Sequence, residues 1–123
     1  MRPLPSIIIA DDNEHMRRTI GNELRRIGEW KVCAEAANGD EAVKLTEKLE
    51  PDVVVLDFQM PVMNGLDAAR EIIKHHPELP IVMYTLHNNP FLESQAKAIG
   101  VRKFISKTEM FSTLIPSLEE ILS

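Results

Sequence analysis

Three carboxylates, a hydroxyl and an ammonium occupy equivalent places in this chain, each just after a short apolar run. Asp11-Asp12 follow Ser6–Ala10, Asp57 follows Val53–Leu56, Thr85 follows Ile81–Tyr84, and Ser106-Lys107 follow the run from Val101 to Ile105. Short, continuous, β-branched runs mark strands buried on both faces, and in an open parallel α/β sheet the carboxyl ends of the strands meet along one edge, where ligands sit. The five groups therefore converge although they are scattered across the sequence. Converging carboxylates repel one another unless a hard cation lies among them. An all-oxygen set with no His or Cys at matching strand ends favours Mg²⁺ over Zn²⁺. With such an ion, one carboxylate can attack a phosphoryl group while Lys107 and the metal neutralise charge on its equatorial oxygens, and the Thr85 hydroxyl can bond the new phosphoryl oxygen.

The elements that must position these groups alternate between apolar runs and segments of helical period, five of each, which implies a parallel sheet between layers of helices. The first helix carries Met16, Ile20, Leu24 and Ile27 and ends at Gly28. Lys31–Ala36 alternates and reads as an edge strand. Asn38-Gly39-Asp40 then caps a helix with Ala42, Leu45 and Leu49 on one side, stopped by Pro51. After Asp57 comes a loop with Pro61, Asn64 and Gly65, then a helix marked by Leu66, Ala69 and Ile73 and closed by Pro77 and Pro80. Leu92, Ala96 and Ile99 define the fourth helix, which Gly100 terminates. The last helix is expected to turn Phe111, Leu114, Leu118 and Ile121 inward, with Pro116 imposing a kink or a late start.

The chain has 123 residues, 44% of them hydrophobic, which suits one compact domain spanning residues 1–123. Fourteen basic against nineteen acidic residues leave a net charge of −5, which repels a phosphate backbone and argues against nucleic-acid binding by this segment. Arg17, Arg18, Arg25 and Arg26 read as a solvated helix face. A single Cys33 asks for no oxidising compartment, and no apolar run approaches the roughly 20 residues needed to cross a bilayer, so a cytoplasmic setting is expected.

Each group also has a plainer role open to it. Asp12 or Asn13 suits the cap of the first helix, Asp57 can be an ordinary strand-end carboxylate, Thr85 a β-former and Lys107 a solvated charge. It is their joint placement at one sheet edge that favours chemistry. His75-His76 look like a ligand pair, but neighbours at a helix end point about 100° apart, so they are read as exposed. Trp30 reads as a lid on the sheet edge, and Met60 and Met63 as packing residues of the loop after Asp57.

The Ile-Ile-Ala-Asp-Asp start, the stretch Leu56-Asp57-Phe-Gln-Met-Pro-Val-Met-Asn-Gly65, Thr85 and Ser106-Lys107 together resemble the receiver domain of bacterial two-component response regulators. Ala34-Glu-Ala-Ala-Asn-Gly39 and Asn64-Gly-Leu66 are similar to receivers of the NarL/LuxR type. The resemblance implies a flavodoxin-like, doubly wound five-stranded parallel sheet of order 2-1-3-4-5 with five helices. It implies phosphorylation at Asp57 by a sensor histidine kinase or phosphotransfer protein. Mg²⁺ would be held by Asp11, Asp12 and Asp57 with the main-chain carbonyl of Gln59, and Thr85 and Phe104 would form the switch beside Lys107. The output face would be the fourth helix, fifth strand and fifth helix, with a phosphorylation-dependent homodimer as one form of response. Gln59 and His87 stand where relatives tune hydrolysis, and Leu86 follows Thr85 where many relatives carry a small residue, so it is expected to restrict approach to the site. Two other classes share the architecture. An aspartyl-phosphate phosphatase would want Asp-x-Asp after the first strand, and a flavodoxin-like cofactor carrier a loop of Ser, Thr and Gly; the sequence there is Asp11-Asp12-Asn13.

Overall fold

The unbroken Ile and Val runs become strands that bury side chains alternately on both faces of one sheet. The structure, a computed structural model, describes residues 3–86 and 89–123. His87 lies outside the described residues. The strands β1 (Ser6–Ala10), β2 (Lys31–Ala36), β3 (Val53–Asp57), β4 (Ile81–Thr85) and β5 (Lys103–Ser106) form a parallel sheet in the order β2-β1-β3-β4-β5. The helices α1 (Glu14–Ile27), α2 (Gly39–Leu49), α3 (Gly65–His75), α4 (Pro90–Ile99) and α5 (Met110–Leu122) connect or follow them.

Strand alternation divides the core in two. Ile8, Val54, Leu56, Ile81 and Met83 pack with Ala42, Ala69, Ile72, Leu92 and Ala96 of α2, α3 and α4. Ile7, Ile9, Val55, Val82 and Tyr84 pack with Ile20, Leu24, Leu114 and Leu118 of α1 and α5. A strand covered on both sides needs apolar residues at every position, which is why the central runs do not alternate.

The helix starts explain how the site edge is held. Four helices begin with an asparagine: the side chains of Asn13, Asn38, Asn64 and Asn89 accept from the backbone N–H groups of Met16, Glu41, Asp67 and Phe91, respectively. Each cap supplies an acceptor to a first-turn donor that would otherwise have none, a contribution of about 1 kcal/mol. Gly28 and Gly100 end α1 and α4 in the left-handed region, at φ 77° and 112°.

Several expectations are corrected. β5 spans Lys103–Ser106 rather than starting at Val101, and α5 turns Met110 inward while Phe111 is 42% exposed. A 3₁₀ turn at Lys107–Glu109 precedes α5, whose inward stripe begins four residues before Leu114 at Met110 and continues through Leu114 and Leu118. In α2, Leu49 is exposed and Thr46 is buried, its hydroxyl donating to the Ala42 carbonyl at 2.7 Å so that no polar group is stranded. Trp30 belongs to the core on the α1/α5 side instead of lidding the sheet. His76 is half-buried and pairs with Glu47 at 3.1 Å, whereas His75 is exposed. Arg17 is not on a solvated face: only 16% exposed, it reaches Glu35 on β2 at 3.1 Å.

Gly65 ties α3 to the end of β3, donating its N–H to the Phe58 carbonyl at 2.8 Å. A Cβ there would strike the Asp57 carbonyl and come within 2.9 Å of the Phe58 Cα, both backbone atoms that cannot swing aside. Gly65→Ala is therefore expected to lower stability by about 2 kcal/mol or more, read in urea unfolding as a lower midpoint at unchanged slope.

Candidate functional site

β1 delivers Asp11 into a fully buried position, and nearly every atom of that residue is engaged. Its N–H continues the ladder to the Ala36 carbonyl at 3.0 Å, and its own carbonyl accepts from the Arg17 guanidinium at 2.7 Å. Oδ1 accepts from the Asn13 N–H at 2.9 Å, and Oδ2 accepts from the Tyr84 hydroxyl at 2.7 Å. Asp12, the next residue, is exposed; Asn13 rather than Asp12 caps α1. Asp57 closes β3 with 2% exposure, and its Oδ1 accepts from the Gln59 N–H at 3.3 Å.

The 3₁₀ turn after β5 brings Lys107 back over these acids. Its Nζ donates to Asp57 Oδ2 at 3.1 Å and stands 3.6 Å from Asp11 Oδ2. Carboxylate oxygens of Asp11, Asp12 and Asp57 all lie within 4.8 Å of one another, and no other such trio of acidic, His or Cys side chains occurs among the described residues. Burial pushes the Asp57 carboxyl up to about 7, and the Asp11 charge pushes it the same way while Lys107 opposes both. Burial, with the Asp11 charge behind it, also drives the Tyr84 hydroxyl well above its ordinary value, so that it remains a hydrogen-bond donor at neutral pH.

Thr85 ends β4 at 1% exposure. In the ladder Tyr84 lies opposite Asp57, and Thr85 lies opposite Ser106, the residue before Lys107. Phe104 is half-buried against the α4-side core, paired in register with Met83. Leu86 is 57% exposed just beyond Thr85. The structure thus brings together Asp11, Asp12, Asp57 and Lys107, with Thr85 and the Gln59 main chain adjacent. His76 lies away from them, lining a groove with Glu50, Asp52 and Pro80 at the amino ends of the strands.

Sequence reasoning missed Tyr84 and Arg17. The hydroxyl of Tyr84 had a usable signal, since a buried tyrosine needs a partner and this one follows the apolar Ile81, Val82 and Met83 directly before the strand-end Thr85. Arg17 had none, because its partner Glu35 is on the edge strand and only the fold sets that distance.

A family model of the response regulator receiver domain matches residues 7–119. The chain belongs to this family. Over 115 residues it is 33% identical to the chemotaxis protein CheY of Thermotoga maritima, covering 94% of this chain and 95% of that one. Over 103 residues it is 39% identical to a protein-glutamate methylesterase/protein-glutamine glutaminase of Pyrococcus abyssi, covering 82% of this chain but 28% of that relative's length. The crystal structure of a LuxR-family two-component response regulator from Aurantimonas sp. SI85-9A1 superposes with a TM-score of 0.92 at 28% identity, covering 98% of this chain and 86% of that one. The receiver is thus a phosphorylation-dependent signalling switch of two-component systems, a class whose members interact with histidine kinases or phosphotransfer proteins. Its fold is the five-stranded flavodoxin-like sheet of order 2-1-3-4-5. No described helix is long and apolar enough to cross a membrane.

An all-oxygen trio of carboxylates facing one ammonium fits a hard divalent cation. Asp12 is exposed, so Asp12→Ala should leave the fold intact, and it is expected to lose most of the rise in thermal midpoint that Mg²⁺ gives the parent. If both midpoints rise equally, the trio does not hold the ion.

The pH dependence has a definite sign. A carboxyl raised in the folded state binds more protons than it does unfolded, so its contribution to stability is present at low pH and lost as pH rises through about 7. Without Mg²⁺ the parent should lose stability relative to Asp57→Asn between about pH 4 and 7, and chemical denaturation of the two across that range checks it.

Proposed function

We propose that Asp57 is the phosphoacceptor and that Asp11, Asp12, Asp57 and the Gln59 main-chain carbonyl hold Mg²⁺. The observation that carries this is the double engagement of Asp57: its carboxylate belongs to the acidic trio and also accepts from Lys107 at 3.1 Å. Asp11 and Asp12 lie within the same trio but neither closes β3. One Asp57 oxygen attacks the phosphorus of a phosphohistidine; a P–O bond forms as the P–N bond breaks, and the electron pair leaves on the histidine nitrogen. Mg²⁺ would supply charge neutralisation at the phosphoryl oxygens. Lys107 neutralises a further part of that charge, moving from the free carboxylate to the acyl phosphate. The Thr85 hydroxyl bonds a phosphoryl oxygen, and the resulting shift passes to Phe104 and the face of α4, β5 and α5.

In this reading residues 1–123 act as one receiver unit in the cytoplasm, without nucleic-acid contact of their own, and phosphorylation can drive a homodimer. The chain catalyses only its own phosphorylation and dephosphorylation; the esterase activity named for the archaeal relative is that protein's. Leu86, Gln59 and His87 are read as tuning residues, Leu86 because its exposed isobutyl group stands beside the switch threonine.

Incubation with acetyl phosphate and Mg²⁺ is expected to add one phosphoryl group to the parent and none to Asp57→Asn by intact mass; an adduct on Asp57→Asn overturns the assignment. Thr85→Ala should accept the group yet lose the phosphorylation-induced change in hydrogen exchange across residues 89–105. An unchanged pattern in Thr85→Ala would remove it from the switch. Leu86→Ala should speed both gain and loss of the phosphoryl group several-fold, and rates within about twofold of the parent, some 0.4 kcal/mol, would reduce Leu86 to a packing role.

A further inference from the structure

Tyr84 is the single tyrosine of the chain, and its ring sits in the α1/α5-side core with Val82 and Ile105. A phenylalanine would fill that volume equally well, so packing does not account for the hydroxyl. The hydroxyl instead reaches out at the strand end and donates to Asp11 Oδ2 at 2.7 Å, with the Ala10 carbonyl at 3.3 Å as a poorer second acceptor. The ring face lies 5.4 Å from the Lys107 ammonium. The backbone carbonyl accepts from the Phe58 N–H, and in the ladder Tyr84 stands opposite Asp57 and directly before Thr85. One side chain thus contacts the acid at the end of β1 and the lysine after β5, from a strand position beside the candidate phosphoacceptor.

We propose that Tyr84 is a positioning residue of the cation site: its hydroxyl acts through Asp11, stabilising the ion-free carboxylate that also faces Lys107, and so restrains Mg²⁺ binding. This rests on the reading that the trio of carboxylates holds that ion. Two hydrogen bonds reach the Asp11 carboxylate, from the Asn13 N–H to Oδ1 and from the Tyr84 hydroxyl to Oδ2, and the Lys107 ammonium faces Oδ2 as an ion pair at 3.6 Å. Each stabilises a bare carboxylate more than one whose electrons are drawn toward a divalent cation, so each favours the ion-free site. Removing the tyrosine's donor takes stabilisation mainly from the ion-free state. The carboxylate keeps its bond from the Asn13 N–H and its ion pair with Lys107. The consequence is a site that is organised at rest and answers to the cation only in part, through a residue joined to the switch threonine.

The test is calorimetric titration with Mg²⁺ of the parent, Tyr84→Phe and Asp12→Ala at one pH, together with near-ultraviolet difference spectra of the lone tyrosine. Tyr84→Phe is expected to bind Mg²⁺ about three- to tenfold more tightly than the parent. The tyrosine band should move on adding Mg²⁺ to the parent and stay still in Asp12→Ala. A purely structural tyrosine would change stability and leave the affinity alone. If Asp12→Ala loses binding while Tyr84→Phe matches or falls below the parent's affinity, the restraint is wrong and the metal site stands. If the parent itself binds no Mg²⁺, the site assignment fails and takes the restraint with it. Should Tyr84→Phe not fold, the parent's spectrum decides, and a tyrosine band unmoved at saturating Mg²⁺ overturns the proposal.

Discussion

Carboxylates within 4.8 Å of one another at a largely buried sheet edge are the constraint that organises this molecule. Two unit charges 4 Å apart interact by about 4 kcal/mol at an effective dielectric near that of a protein surface, and two of these three acids are buried. Their surroundings respond to that repulsion. Lys107 lies against Asp57 and Asp11, Tyr84 and the Asn13 N–H donate to Asp11, and burial, with the Asp11 charge behind it, raises the Asp57 carboxyl to about 7. A site held in this condition is one that a cation relieves.

Keeping the acids at that spacing requires rigid loops on the same edge. Asparagine caps start the four helices that follow β1, β2, β3 and β4, and Gly65 lets α3 approach the Asp57 carbonyl more closely than any side chain would permit. Arg17 adds a clamp from α1, bonding the Asp11 carbonyl and Glu35 on the edge strand together. Val62 lies in this same loop at φ 68°, a left-handed conformation costly for a β-branched residue, and the short Met63 N–H to Pro61 carbonyl bond of 2.7 Å spans it.

The route from site to surface is short because β4 and β5 are neighbours. Thr85 pairs in register with Ser106, and Phe104, two residues back along β5, packs on the α4 side against the core shared with Leu92 and Ala96. A displacement at Thr85 therefore meets the strand that carries Phe104 and leads directly into Lys107. Exposed Leu86 and Phe91 flank the start of α4, where such a shift would be displayed.

Much of this was legible along the chain. The continuous apolar runs located β1, β3 and β4, Asn38 located the start of α2 and Gly28 and Gly100 the ends of α1 and α4, and the residues after each strand located the acids, Thr85 and Lys107, because periodicity, capping and strand direction are properties of local sequence. Errors arose where a neighbour decided the outcome. At the start of α5, just after the 3₁₀ turn at Lys107–Glu109, Met110 rather than Phe111 met the core, and the bond of Thr46 to the Ala42 carbonyl let a hydroxyl take a core position. Arg17 and Glu35 are separated by 18 residues, and Tyr84 and Asp11 by 73. A residue's type states what partner it needs, whereas which partner it meets depends on strand order and register. Local sequence thus determined the elements and the chemistry delivered to one edge, and the tertiary structure alone decided that a tyrosine hydroxyl would be shared with the acid at the centre of it.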